Sequence, residues 1–344
     1  MVGVPCRGAR PCALAASTMK QALLAFFALT ALAAFAEALV LWRFWMDPWR
    51  LAGLLESTAL LLGAFVAFTD AAFVRQLRHR AQSSASLAAS LPFLLLLPYL
   101  LYALLTRDFS LLSLGKLVGY IAVPTFLLLP DRLHHRDSLG WRDVAAMLAL
   151  AVPVAAGWLR GIWTWPQDLY IFRPIVCVII GAYTFLVLRN LEGAGYRLIW
   201  RKGDLWEGLL NLVAFCIVGI PLGLGLNFIH PHANPDLTWG GFALQFVGIY
   251  LTVAIPEELL FRGILQNLLV RTLHSGPRGV YGLVIASVVF GASHLHHAPV
   301  PNWRYAIMAA VAGLFYGNAY RSRGRLCASG LTHTLVDTLW HFWF

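Results

Sequence analysis

The feature that most restricts this chain is the length of its apolar runs. Segments of about twenty mostly apolar residues recur along it, and that is the length an α-helix needs to cross the hydrocarbon of a bilayer. Eleven such runs are counted, at approximately 20–42, 50–69, 86–106, 111–129, 142–159, 172–189, 205–227, 241–270, 279–297, 303–320 and 326–343. They are continuous rather than alternating, which points to helices and away from a barrel. The connections are short and polar and often carry Pro or Gly, as at Asp47-Pro48, Pro130-Asp131, Pro166-Gln167, Pro231 to Pro235 and Gly276-Pro277. None has room for a soluble domain. Composition agrees: of 344 residues, 59% are hydrophobic and 12% charged, about half the charged share of a soluble domain. A water-soluble fold of this size cannot hide that much apolar surface. The expected fold is an all-α, polytopic bundle of about eleven transmembrane helices in a lipid bilayer.

The net charge of +10 does not signal nucleic acid, because the basic residues sit in short loops between apolar runs and not on a soluble domain. Residues at the span ends can be counted with the adjoining loop. Alternate segments then hold 18 of the 26 lysines and arginines on one side of the membrane and 6 on the other. Basic loops stay cytoplasmic, so the N-terminus is expected inside and the C-terminus outside, in a bacterial inner membrane. Residues 1–19 read as a polar tail in which Met19 is a second candidate start. Residues 20–42 are too long for a signal-peptide core and read as the first span. Cys6, Cys12, Cys177, Cys216 and Cys327 form no CxxC pair or disulfide framework, and Cys177 and Cys216 read as small packing residues.

Charges inside a membrane are expensive and mark function by default. The spans contain Glu37, Glu56, Lys116, Glu257, Glu258, Arg262 and Asp337. Three of these fall in one block, Pro256-Glu257-Glu258-Leu259-Leu260-Phe261-Arg262-Gly263. Glu258 and Arg262 are four apart on a helix and can pair. Glu257, turned about 100° away, has no local partner and is free for acid–base work. Pro256 lacks a backbone donor and is expected to kink the helix just before the acids. Two later segments supply partners. Phe290-Gly291-Ala292-Ser293-His294 places a histidine at the end of the ninth span, and His333-Thr334-Leu335-Val336-Asp337 places a histidine and an acid one turn apart on the eleventh. They can meet only if these helices pack closely around a polar centre, which small residues such as Gly291, Ala292 and Ser293 allow.

The order EExxxR, FxxxH, HxxxN/D on successive C-terminal helices resembles the CPBP family, which includes the type II CAAX prenyl endopeptidases. The resemblance covers about residues 240–343, dividing the chain into the tail 1–19, a membrane region 20–230 of unassigned role and a protease-like core 240–344. It implies a metal-free glutamic endopeptidase acting on a membrane-associated protein or peptide. Glu257 would be the base that activates water, His294 would hold that water, and Glu258 would be a support locked by Arg262. His333 would stabilise the oxyanion together with position 337. Here that position is Asp, which donates a hydrogen bond only when protonated and otherwise would orient His333. A zinc hydrolase using Glu257, His294 and His333 is the chemical alternative, although HExxH is missing. A non-proteolytic transporter or scaffold is the alternative of another class. Transport would require Glu37, Glu56 and Lys116 to face the same pathway as Glu257.

Overall fold

The computed structural model describes residues 47–232, 238–273 and 279–344. Among them all regular structure is helical, in eleven helices. These are α1 (Pro48–Ala67), α2 (Ala71–Ser83), α3 (Ala85–Thr106), α4 (Leu111–Leu133), α5 (Trp141–Ala155), α6 (Phe172–Leu188), α7 (Lys202–Gly225), α8 (Trp239–Thr272), α9 (Val280–Ala292), α10 (Trp303–Arg323) and α11 (Leu326–Trp343). Ten of the expected spans fall on these helices. The first, 20–42, lies outside the described residues together with Glu37, Cys6, Cys12 and Met19. The eleventh helix is instead α2, a polar helix in the connection between two spans. Five helices, α1, α3, α4, α7 and α8, are long and apolar enough to cross a membrane by length and composition. The protein is an integral membrane protein.

Local chemistry sets the helix ends. Asp47 caps α1 by accepting from Trp49 N at 2.9 Å, with Pro48 at the first helical position. Asp70 caps α2 through Phe73 N at 2.9 Å. The side chains of Asp143 and Asp204 reach back to the backbone N–H of Gly140 and Arg201 at 2.8 and 2.9 Å. Each cap satisfies a donor that the first helical turn leaves open. Two of the four shortest expected spans, 142–159 and 172–189, become α5 and α6, of 15 and 17 residues. At 1.5 Å per residue they run only about 22–26 Å, less than the roughly 30 Å of hydrocarbon. For α6 the shortfall is met by burial in protein, since it is enclosed by neighbouring helices along nearly its whole length.

Among the described residues, polar contacts between connections join those of the same end. At one end Arg78 donates to Leu186 O and Leu191 O, Arg271 to Glu192 O and Asp137, and Arg325 to Asp204 and Ile199 O. At the other, Tyr102 donates to Trp165 O, Ser113 to Gly161 O and His232 N to Trp343 O. This is the grouping that strict alternation of spans demands. Two apolar clusters fill the interior. The larger joins α1 to α6 and includes Tyr250, Ile255, Leu259, Ile264 and Leu268 of α8. The smaller gathers Phe215 of α7, Phe261 of α8, Phe290 of α9, and Met308, Ala312 and Tyr316 of α10. α8 is thus the shared wall, with one side on each cluster.

Candidate active site

The acid pair sits midway along α8, where the helix is locally widened. Its turns are of the wider π type over Tyr250–Ala254 and again over Leu259–Gln266, with ordinary α turns at Ile255–Glu258 between them. The helix therefore runs on through Pro256, and the missing proline donor is absorbed by widened turns. Such interruptions concentrate at functional sites. Arg262 Nε donates to Glu258 Oε2 at 3.2 Å with both side chains fully buried, so the expected pair forms.

His333 of α11 supplies the junction. Its Nδ1 lies 3.0 Å from Glu258 Oε1, and its Nε2 lies 3.4 Å from Asp337 Oδ2 and 3.8 Å from Glu257 Oε2. An ionised carboxylate only accepts, so Nδ1–H donates to Glu258. Glu258 is therefore held from both sides, by Arg262 and by a histidine 75 residues away in the chain. The ring of His333 is fixed from above and the side as well. Tyr316 stacks on it with centroids 4.4 Å apart and planes at 16°, and Phe290 meets it edge-on at 5.8 Å. The Arg262 guanidinium lies over the rings of Phe290 and Tyr316 at 4.8 and 5.9 Å. Its two terminal nitrogens have no hydrogen-bond partner, and the aromatic faces take that place by cation–π attraction.

His294 is positioned by its own turn. Nδ1 lies 2.8 Å from Phe290 O; a carbonyl oxygen accepts, so Nδ1 carries the proton and Nε2 presents the other functionality. Tyr305 packs on this ring at 4.7 Å. Gly291 makes the approach of α9 to α10 possible: a Cβ there would collide with Ala306 O and Ala310. Glu257 differs from its neighbour. Its side chain is one-third exposed and its Oε2 has no hydrogen-bond partner.

Glu257, His294, His333 and Asp337 line one cavity of about 750 Å³. All six residues singled out in the sequence thus meet in one place, four on the cavity wall and Glu258 and Arg262 behind it. Two contributors escape a reading by sequence. α7 completes the wall with Phe215, Cys216 and Gly219, although it precedes the core expected from residue 240. Tyr305 and Tyr316 of α10 hold the two histidines, although an aromatic in an apolar run carries no signal beyond packing. Glu56 and Lys116 do not join the site: Glu56 is exposed on α1, and Lys116 Nζ donates to Arg160 O at 3.1 Å. Among the described residues no three histidine, cysteine or acidic side chains are grouped as metal ligands would be.

These features define a class, an integral membrane protein with an ionisable centre facing a cavity among its C-terminal helices. Residues 239–339 match the family described as type II CAAX prenyl endopeptidase Rce1-like, which supports a CPBP-family, CAAX-protease-like reading of that region. The match spans all six site residues and leaves out α7. No curated protein and no solved structure matches the chain.

Proposed function

We propose that the protein is an intramembrane endopeptidase that hydrolyses a peptide bond with a glutamate-activated water. The observation that carries this is the Oε2 of Glu257, which makes no hydrogen bond and lies 3.8 Å from His333 Nε2, on the same cavity wall as His294, whose Nδ1–H is held by Phe290 O and whose Nε2 is left free. Glu257 takes a proton from water as the water oxygen bonds to the scissile carbonyl carbon. His294 Nε2 accepts the second water hydrogen and orients the attack. The charge that moves onto the carbonyl oxygen is received by the Nε2–H of a doubly protonated His333, which Glu258 holds through Nδ1–H at 3.0 Å while Asp337, 3.4 Å from Nε2, shares the same N–H with the oxyanion. Glu257 then gives its proton to the amide nitrogen, the C–N bond breaks, and the remaining water proton passes from the new carboxylic acid to the freed amine, so that a carboxylate and an ammonium group leave. A positioned base is worth about 10²–10⁴ in rate, and one oxyanion donor about 10²–10³.

The test is cleavage of membrane-anchored peptides by purified protein, with Glu257→Gln beside wild type and EDTA beside buffer. Turnover is expected to fall by about 10²–10⁴ in the variant and to persist in EDTA. Loss in EDTA would move the chemistry to a metal held by Glu257, His294 and His333. Equal turnover by variant and wild type would overturn the assignment.

A further inference from the structure

The cavity occupies only one half of the depth of the bundle. On α11 its lining residues run from His333 to Phe344, and on α7 they begin at Phe215 and continue toward the C-terminal end. Its exposed lining residues, Pro231, His232, His297 and Trp343, all lie at this end and mark the mouth, where His232 N donates to Trp343 O at 3.0 Å. In the other direction, hydrogen bonds between helices close the wall. Gln266 Nε2 donates to Gly317 O at 3.0 Å, Thr332 Oγ1 to Gly208 O at 3.1 Å and Asn318 Nδ2 to Asn211 Oδ1 at 3.0 Å. α9 ends at Ala292 after 13 residues. It covers about 20 Å, too short for the full hydrocarbon thickness, which leaves room above His294 for the cavity to open.

The two ends of the bundle differ in charge. Among the described residues the closed end carries 14 lysines and arginines. The mouth end carries 5, and Lys116 is a sixth because it reaches to Arg160 O. Many of the basic side chains at the closed end are tied into the contacts between its loops, including Arg78, Arg189, Arg197, Arg271, Arg323 and Arg325. Basic connections remain on the cytoplasmic side of a membrane.

We infer that the catalytic cavity opens on the extracytoplasmic face, and that its substrate is an apolar segment of a membrane-anchored polypeptide reaching it from that face. The identity of the bound segment as a peptide to be cleaved rests on the function proposed above; the direction of opening does not. The wall offers Phe215, Phe228, Met308 and Trp340 to side chains, a lining suited to apolar groups with a few polar atoms at depth. The reacting groups lie about 16 Å from the mouth along α11. An extended chain rises about 3.3 Å per residue, so about five residues separate the scissile bond from the point of entry. A cytoplasmic protein with a lipid-modified tail would meet the closed, arginine-rich end.

The full chain with its native cysteines replaced is given one new cysteine at a time and expressed in bacterial cells, which are treated with a membrane-impermeant maleimide. His232→Cys is expected to label in intact cells at least tenfold more than Gln82→Cys of α2, which labels fully only after permeabilisation. The reverse pattern, or equal labelling of both, would overturn the inference. This readout needs no activity, so it stands or falls apart from the Glu257→Gln assay. A second arm uses wild-type protein in vesicles sorted by orientation, with an anchored peptide added outside. Cleavage is expected at least tenfold faster where the His232 face is outward. Faster cleavage at the opposite face would overturn the substrate assignment while leaving the peptidase reading intact.

Discussion

Among the described residues two ion pairs are fully buried, one before the C-terminal core and one within it, and they are built differently. In the membrane region that precedes the C-terminal core, Arg189 spends every guanidinium nitrogen. Nε donates to Asp143 at 2.7 Å, Nη1 to Arg136 O at 2.8 Å and Nη2 to Ser138 O at 3.0 Å. In the C-terminal half Arg262 makes one hydrogen bond, at 3.2 Å to Glu258, and leaves two nitrogens over aromatic rings. Buried polar groups are normally satisfied, and each exception calls for an explanation. The first pair closes its own accounting and clamps the connection 136–143 to the end of α6. The second hands its carboxylate on to His333 and stands behind a neighbour, Glu257, with an unused oxygen. A saturated network reads as structure, and an unsaturated one beside a cavity reads as chemistry.

The comparison can be broken by removing each arginine in turn. Arg189→Met takes the close charged partner from buried Asp143, which keeps only Gly140 N–H at 2.8 Å and Arg136 at 3.6 Å, and breaking such a buried pair costs about 3–5 kcal/mol. The melting temperature in detergent should fall sharply, while the folded fraction cleaves at the wild-type rate. Arg262→Met should show the opposite balance, with turnover reduced at least as much as by loss of an oxyanion donor, about 10²–10³, and a smaller loss of stability. Equal stability losses with unchanged turnover in both would make the second pair as structural as the first.

Glycines sharpen the contrast at a smaller scale. At Gly291 a Cβ would run into Ala306 O and Ala310 of α10, whereas at Gly115 in α4 it would meet nothing within 4 Å. Gly291→Ala must push α9 away from α10, a cost of about 1–3 kcal/mol for overpacking, and it carries His294 with it. Gly115→Ala should instead stabilise by about 0.5–1 kcal/mol, since alanine is the better helix former. Thermal unfolding of the two variants side by side checks the sign of each.

How much of this was legible depends on the distance over which each signal acts. The spans were readable because a bilayer imposes a length on every crossing segment separately. Glu258 with Arg262 was readable because four residues along a helix are neighbours whatever surrounds them. The bond from His333 to Glu258 was not, since only the packing of α11 on α8 creates it. The same holds for Tyr316, which in sequence is one more aromatic in an apolar run and in space is the plate on which His333 rests. α7 belongs to the cavity wall by packing on α10 and α11, and no motif on it announces this. α2 was absent from the reading because its charges place it among the connections, where a short amphipathic helix and a loop look alike. The family motif brought the C-terminal residues together earlier than local physics alone allowed, since Glu257, His294 and His333 lie on three helices.

The finest distinction concerns position 337. Two roles are open to Asp337, donating a proton-bearing oxygen to the oxyanion or holding His333 by its Nε2, and the 3.4 Å contact within one turn of α11 favours holding. Asp337→Asn separates them. An amide still offers an oxygen to the histidine N–H and also a donor to the cavity, so either role survives in part, and turnover should stay within about tenfold of wild type, a change of about 1.4 kcal/mol. Asp337→Leu removes both functions and should cost more than Asn. A holding role predicts that Leu also loosens the His333 ring, visible as a shifted or broadened imidazole resonance in labelled protein. A donor role predicts an unchanged resonance with the same loss of turnover. Two of the three carboxylates that face His333 would then be ranked, with Glu258 fixing the ring from behind and Asp337 either steering it or acting beside it.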